Sequence, residues 1–310
     1  MPNWTDSAPI ADVACPLCSG EGVRRRIVNT VWEAPDSAVY QCSGCEIVFI
    51  YPIVSLEEEK AFYETEFAHY MMERGAPGET KPEEHFEKNQ PEGKRRWSNL
   101  RSYLQPDMRV LEIGSSTGFL LAEIEPDVSS VTGIEPGHLY REYANQRKIK
   151  TYAGLSEVCG QCFDLILAYY VVEHLRNPVE FLSQLHDLLN PGGHLAMEVP
   201  NVNDALVRFY QLDSFDRFYW QKAHYFNYSH RTLTMVLTRA GFSIIRMIPE
   251  QRYDISNHIF WLVKGQPGGK GKFTHIFDDI LNQEYARCLK THWLCDTIFA
   301  IATRSSHPRL

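Results

Sequence analysis

The sequence predicts an α/β fold preceded by a small cysteine-rich ribbon, and three observations lead to this class. Short runs of apolar and β-branched residues alternate with helical stretches through the middle of the chain. One of these runs, residues 110–113, enters a glycine turn that opens a helix. Near the N-terminus, two Cys-x-x-Cys pairs have 23 residues between them. We therefore expect one α/β core that follows a metal-binding module.

The glycine turn reads Gly-Ser-Ser-Thr-Gly over residues 114–118. Gly114 lets the chain turn tightly beside a ligand, and Gly118 permits close approach at the start of the helix. A second short strand then ends at Glu135, whose two oxygens can accept hydrogen bonds from a ribose diol. Neither G-x-G-x-x-G nor G-x-x-x-x-G-K-[ST] is present here. The turn therefore predicts a site for a nucleoside without a phosphate cradle.

This pattern resembles the class I S-adenosylmethionine-dependent methyltransferases, whose first motif reads roughly E/D-x-G-x-G-x-G. Glu112, Gly114 and Gly118 match that motif, and Ser116 replaces its middle glycine. Residues 163–175 resemble the family's fourth strand and the turn after it, and the whole resemblance covers roughly residues 95–265. It implies a Rossmann-like, seven-stranded sheet and S-adenosylmethionine as the cofactor.

The resemblance also implies which residues hold the cofactor. Leu155 stands where many relatives have an aspartate, so we expect backbone groups to contact the adenine edge. Tyr169 is expected to offer an aromatic face to the sulfonium. The predicted cofactor-binding residues are Glu112, Gly114, Ser116, Gly118, Phe119, Glu135, Pro136, Leu155 and Tyr169.

Four segments with strand-like composition, residues 109–113, 130–135, 163–168 and 194–199, form the predicted core. Residues 242–248 and 258–264 lack a helix between them, so we expect an antiparallel hairpin at the end of the sheet. The predicted units are a zinc ribbon (1–54), a helical lid or linker (55–105), the cofactor-binding domain (106–265) and a C-terminal helical extension (266–310). The linker contains turn-rich residues 74–92, a mobile loop that either closes over the site or merely connects. Apolar residues from Phe273 to Phe299 follow one predicted helix face, which packs on its own domain or forms a homodimer.

The two cysteine pairs are Cys15/Cys18 and Cys42/Cys45. Two such pairs complete a tetrahedral set of four thiolates, and a set without an open position is typical of structural zinc. Disulfides are the alternative, and a reducing compartment disfavours them. Ribbons of this type resemble those that precede the methyltransferase domain in enzymes acting on nucleotide-linked sugars.

The overall charge bears on the acceptor. The chain has 31 Lys and Arg against 39 Asp and Glu, whereas a nucleic-acid partner normally requires a basic face. The basic run at residues 94–96 is short and is interpreted as a solvated helix end. We therefore expect a small-molecule acceptor and no nucleic acid. No apolar run is long enough to span a bilayer and no leader is evident, so the predicted location is cytoplasmic.

Two histidines are candidates for the general base that a hydroxyl acceptor needs. His174 lies in the turn after the fourth strand, and His224 lies in Ala-His-Tyr-Phe-Asn-Tyr-Ser. The resemblance supports both positions, and Tyr170 and Tyr225 are expected to contact the acceptor. The related sugar C-methyltransferases tend to carry Glu before the second histidine, where this chain has Ala223.

That difference favours an oxygen acceptor on a sugar, a nucleotide-linked sugar or a related natural product. Carbon or nitrogen methylation remains an alternative. A second alternative is a non-catalytic scaffold that binds S-adenosylmethionine and carries a zinc ribbon. Methylation of RNA is disfavoured by the net charge.

Overall fold

The computed structural model describes residues 10–18, 20, 22–62 and 81–305 of the 310-residue chain. Its centre is a seven-stranded sheet in the order β11-β12-β9-β8-β5-β6-β7. Strands β5 to β9 are parallel, and β12 runs antiparallel to both of its neighbours. The strands are β5 (Arg109–Ile113), β6 (Ser130–Ile134), β7 (Thr151–Tyr152), β8 (Phe163–Tyr169), β9 (Leu189–Pro200), β11 (Phe242–Glu250) and β12 (Thr297–Arg304). The predicted α/β class and seven-stranded sheet are confirmed.

Ten α-helices lie within the described ranges. They are α1 (Leu56–Ala61), α2 (Pro82–Leu100), α3 (Phe119–Ile124), α4 (His138–Gln146), α5 (Pro178–Leu188), α6 (Ala205–Arg208), α7 (Asp213–Tyr219), α8 (His230–Arg239), α9 (Ile255–Lys264) and α10 (Asp279–Thr291). Across the part of the chain that is described, no helix combines the length and apolar composition that a bilayer span requires.

The predicted hairpin is correct in its first strand and wrong in its second. Residues 255–264 form α9, because the Asp254 side chain accepts a hydrogen bond from the Asn257 amide and Gly265 ends the helix in the left-handed region. The partner of β11 is instead β12. The predicted C-terminal helix accordingly stops at Thr291, and residues 297–304 complete the sheet.

The apolar face predicted for the last helix is only partly buried. Leu289 is buried, whereas Ile280 and Leu281 are exposed. Ile298 and Phe299 are buried within β12 because they pair with β9 and β11 rather than continuing a helix. A homodimer through this helix stays a prediction.

The segment predicted as a mobile loop is largely helical where the structure describes it. Residues 74–80 lie outside the described residues, and α2 begins at Pro82. Proline suits the first helical position, where its missing N–H is not needed, and Glu83 and Glu84 favour the helix N-terminus. Pro91 lies inside the helix. Prolines are typical of loops, and Pro82 and Pro91 therefore suggested a loop in the sequence. The loop prediction is wrong from residue 82 onward.

The cysteine-rich segment forms a second, antiparallel sheet that is continuous with the core. Its strands are β1 (Ile10–Ala11), β2 (Arg24–Val28), β3 (Ala38–Cys42), β4 (Val48–Tyr51) and β10 (Phe226–Asn227), in that order. Phe226 pairs with Phe49, so a strand from the core chain closes the ribbon sheet. Phe49 and Phe226 are buried in the same apolar cluster as strands of the central sheet.

Candidate functional site

The glycine turn adopts the backbone that a close-lying ligand requires. Gly114 and Gly118 have φ of 69° and 77°, and a Cβ added at Gly118 would lie 2.9 Å from the Ile149 side chain. Ser116 has φ of 51°, so it keeps a glycine-like conformation where the family motif has glycine. The turn therefore retains its shape although one glycine is replaced. Phe119 begins α3 directly after it.

Glu135 follows the end of β6 and lies against this turn. Its carboxylate accepts hydrogen bonds from the Ser116 amide at 2.8 Å and from the Gly137 amide at 2.7 Å. Burial raises the pKa of this carboxyl, and the two amides oppose that rise. The predicted ribose acceptor is therefore fixed beside the glycine turn. Pro136 follows it, and Leu155 begins a short 3-10 turn after the neighbouring β7.

Glu112 and Tyr169 lie deeper in the sheet, under α2. Burial raises the pKa of Glu112 to about 8, against the opposing effect of the Arg96 guanidinium. The Arg96 guanidinium carbon lies 4.5 Å from the centre of the Tyr169 ring, and Phe299 stacks parallel to that ring. The Arg96 guanidinium therefore covers the face of the Tyr169 ring, which was predicted to contact the sulfonium. The signal was the basic run at residues 94–96, and its interpretation as a solvated helix end is wrong, since Arg96 is 7% exposed.

Arg95, Arg96 and Arg252 belong to a partly buried charge network that was not predicted from the sequence. The Arg95 guanidinium lies 2.7 Å from both the Glu92 and Glu198 carboxylates. Arg252 lies 3.2 Å from Asp296 and 3.7 Å from Glu92. These residues come from α2, from β9 and from the end of the β11–β12 pair at which β11 stops and β12 starts. No local spacing joins them, so the sequence alone offered no signal for their association.

A cavity of about 980 Å³ opens beyond the carboxyl ends of β8 and β9. Val171, in its wall, also lies close to Gly114, so the cavity adjoins the glycine turn. Aromatic side chains form much of the wall, namely Tyr170, Phe215, Phe218, Tyr219, Tyr253 and Trp261. Ligands of open α/β sheets bind at this edge.

Tyr170, predicted to contact the acceptor, lines this cavity in a strained conformation. Its φ is 57°, which is unusual for a bulky residue. Its hydroxyl lies 2.6 Å from Thr297 Oγ1, and the Arg252 guanidinium covers its ring at 4.6 Å. Tyr225 behaves differently. It is buried beneath the Arg176 guanidinium, and the described cavity wall does not include it. Its predicted acceptor contact does not fit this placement.

The structure brings the two predicted histidines together at the cavity wall. The His174 and His224 rings lie 4.9 Å apart and are nearly perpendicular. His174 Nδ1 lies 2.7 Å from the Ala223 carbonyl oxygen. Glu173 stands beside them, 1% exposed, and burial raises the pKa of its carboxyl to about 8. Glu173 belongs to the motif at residues 163–175, but no role was predicted for it from the sequence.

The four N-terminal cysteines converge as predicted. Their sulfur atoms all lie within 4.8 Å of one another, with Cys15–Cys45 and Cys18–Cys42 separations of 3.7 Å. Disulfide sulfurs would be about 2.05 Å apart. A tetrahedron with metal–sulfur bonds of about 2.3 Å has edges of about 3.8 Å. The donor set therefore fits a tetrahedral zinc ion.

Comparison with known proteins identifies the domain around this site. A family profile for a methyltransferase domain matches residues 85–246, which is more than half of the chain. The chain belongs to this methyltransferase family. The match confirms the class I S-adenosylmethionine-dependent methyltransferase domain and the enzyme class predicted from the glycine turn.

Curated relatives differ from the predicted branch. A tRNA U34 carboxymethyltransferase of Desulforapulum autotrophicum is 30% identical over 157 residues, which cover 45% of this chain and 46% of the relative. One from Glaesserella parasuis is 26% identical over 172 residues, with 50% and 52% covered. The chain thus spans about half the length of these relatives. A crystal structure of an S-adenosylmethionine-dependent methyltransferase from Archaeoglobus fulgidus aligns with a TM-score of 0.49 and 19% identity, covering 71% of this chain and 97% of that one.

These relatives correct the acceptor prediction. They are named for tRNA, which contradicts the expected sugar or natural-product hydroxyl and the expected absence of a nucleic-acid partner. The prediction was wrong because it used the net charge of the whole chain. A total charge does not describe the local charge around one cavity.

Proposed function

We propose that this protein transfers a methyl group from S-adenosylmethionine to a nucleoside of tRNA. The proposal is supported mainly by the large, aromatic-walled cavity beside the glycine turn, together with relatives named for tRNA modification. Enzymes that act on a base take it out of the stack into a pocket and bind it between aromatic side chains. A cavity of about 980 Å³ has room for an extruded nucleoside next to the cofactor.

A local basic rim supports an RNA acceptor despite the negative total charge. Three lysines, Lys264, Lys270 and Lys272, are exposed at the end of α9 and on the segment that follows it. Residues 267, 268 and 270 of this segment line the cavity. Phosphate contacts need lysine or arginine at the mouth of the site, not a basic chain overall. These lysines are thus placed to contact the backbone that flanks an extruded nucleoside.

The arginines of the site are paired within the protein. They each face a carboxylate of Glu92, Glu198 or Asp296. Three guanidinium groups therefore face three carboxylates, which leaves the network near neutrality.

Each site residue has a proposed role in methyl transfer. Glu135 binds the ribose hydroxyls, and the glycine turn admits the cofactor beside the backbone. Bound S-adenosylmethionine supplies a sulfonium methyl whose carbon–sulfur bond breaks as the bond to the acceptor forms, the electron pair remaining on sulfur. His224, at the cavity wall, accepts the proton that the acceptor loses, and the neighbouring His174 holds the Ala223 carbonyl beside it.

A single-turnover assay with methyl-labelled cofactor and tRNA tests this function. His224→Gln should lower the rate of label transfer by roughly 100-fold to 10,000-fold. His292→Gln, at an exposed position after α10, is the matched control and should leave the rate unchanged. Lys270→Glu should weaken tRNA binding more than Arg101→Glu, since Arg101 precedes the amino end of β5, away from the site. Absence of label in tRNA with active cofactor binding would refute the proposal.

We also propose that the four cysteines bind one structural zinc ion. The sulfur spacing supports it, and a complete set of protein ligands leaves no position open for substrate. Elemental analysis of protein made with adequate zinc should give one ion for the ribbon, lost on replacement of Cys42 by Ser.

A further inference from the structure

We infer that Glu173, His174 and His224 form a second, separate site for a divalent transition-metal ion at the cavity wall. This inference rests on the proposed function for its consequence, because the acceptor enters the same cavity. One ligand atom from each residue lies within 4.8 Å of the others. Two residues come from the turn after β8 and one from the segment before β10, so the tertiary fold brings them together.

Glu173 supplies an independent indication. Its side chain is 1% exposed, and neither carboxylate oxygen has a hydrogen-bond partner among the described residues. Burial of a polar group without a partner is costly, and such groups in native proteins point to a bound water or ion. Glu173 lines the cavity with both histidines. A cation bound there would pair with the carboxylate that the protein leaves unpaired.

His174 is oriented as metal-binding histidines usually are. A carbonyl oxygen only accepts, so His174 Nδ1, 2.7 Å from the Ala223 oxygen, carries the proton. Its Nε2 then has the lone pair and points toward Glu173, whose Oε1 is 3.9 Å away. A backbone carbonyl that fixes the tautomer is the common outer-shell arrangement of histidine ligands. The Gln221 side-chain amide nitrogen lies 3.1 Å from His224 Nε2 and 3.3 Å from its Nδ1, so this amide would have to turn aside for a His224 nitrogen to bind the ion.

Two imidazoles and one carboxylate form a donor set used by zinc and by other first-row divalent ions, with open coordination positions left for substrate. Here the open positions face the cavity. A bound ion would act as a Lewis acid on an acceptor oxygen and lower the pKa of its hydroxyl. With the ion bound, His224 would be a ligand and could not also accept the proton, so the ion would take over the direct-base role proposed above for His224. The proton would leave to solvent instead of to the imidazole.

Cobalt(II) binding to the full chain, with its ribbon already loaded with zinc, tests this site without RNA or cofactor. Calorimetry should detect one further equivalent of Co²⁺, with the weak visible absorption of nitrogen and oxygen ligands and no thiolate charge-transfer band. Glu173→Gln and His224→Gln should each weaken this binding at least about tenfold. His292→Gln should leave it unchanged.

Two results would overturn the site: no Co²⁺ bound beyond the ribbon, or equal affinity in the wild type and the His224→Gln variant. If Glu173→Gln does not fold, His224→Gln decides the matter alone, because His224 is partly exposed. Since metal binding is measured in the absence of tRNA, its outcome is separate from the outcome of the transfer assay. Cobalt binding with no transfer to tRNA would refute the proposed function and keep the metal site.

Discussion

At the scale of single residues, Glu135 is the most direct determinant of cofactor binding. Its carboxylate is held by two backbone amides at the position predicted to bind the ribose. Glu135→Ala removes charge-assisted hydrogen bonds worth roughly 1.5–3 kcal/mol each, so S-adenosylmethionine affinity should fall by at least about tenfold in calorimetry. Glu142→Ala, an exposed glutamate on the following helix, is the control. An unchanged affinity at an unchanged melting temperature would remove Glu135 from the site.

Glu112 should make stability depend on pH. Its carboxyl keeps a proton in the folded chain up to about pH 8, because burial raises its pKa, whereas the unfolded chain releases that proton near pH ~4.3. The contribution of this group is therefore complete at low pH and is lost as pH rises toward the folded-state pKa. The Glu112→Gln variant has no titrating group at this position. The free energy of unfolding of the wild type should therefore fall relative to that of the variant as the pH rises from about 5 to about 8. Urea unfolding across this range measures the difference, and a difference independent of pH would contradict the buried neutral carboxyl.

Some site residues could be read from the sequence, and others could not. Gly114, Gly118 and Glu135 follow one another at short spacing, because a turn that admits a nucleoside imposes them locally. Arg252 has no such pattern. It joins the site through Glu92 and Asp296, which are distant in sequence, so only the tertiary fold shows their association.

At the scale of elements, the ribbon is coupled to the segment that follows His224. The Ile50 amide donates a hydrogen bond to the Tyr225 carbonyl at 3.0 Å, and β4 pairs with Phe226 directly after it. His224 therefore immediately precedes residues that the ribbon holds. The sequence predicts the ribbon as a separate domain, because the two-residue strand β10 gives no periodic signal.

Zinc removal should thus affect both stability and turnover. We expect Cys42→Ser to lower the melting temperature by roughly 4 °C or more, since a loss of about 2 kcal/mol has this effect in a chain of this size. Transfer should decline more than S-adenosylmethionine affinity, because β4 pairs directly with the segment that follows His224. Cys159→Ser, at an exposed position outside the ribbon, is the control for both measurements. A zinc-free ribbon with wild-type melting and turnover would contradict this coupling.

The other elements show where local signals suffice. Strands β5, β6, β8 and β9 were predicted because parallel strands buried on both faces are continuous apolar runs. Residues 258–264 have the same composition, yet they form part of α9. Their helix is fixed by the Asp254 cap and by Gly265, and apolar composition alone does not distinguish a buried helix from a strand.

At the scale of the whole molecule, the distribution of charge matters more than its sum. The chain carries a formal charge of −8, and for this reason the sequence-based prediction excluded a nucleic-acid partner. The structure places exposed Lys270 at the cavity, with exposed Lys264 and Lys272 nearby in the same segment, and pairs the arginines of the site with carboxylates. A local basic rim on an acidic protein gives modest affinity that falls with salt.

The acceptor class is tested most directly by giving the protein methyl-labelled S-adenosylmethionine together with a whole-cell extract that contains both tRNA and small metabolites. Afterwards, label is measured in the RNA and small-molecule fractions before and after nuclease treatment. An RNA acceptor predicts label in the tRNA fraction that nuclease releases as labelled nucleotides, and loss of this label in Glu135→Ala. Label confined to small molecules that nuclease does not affect would contradict the proposed acceptor.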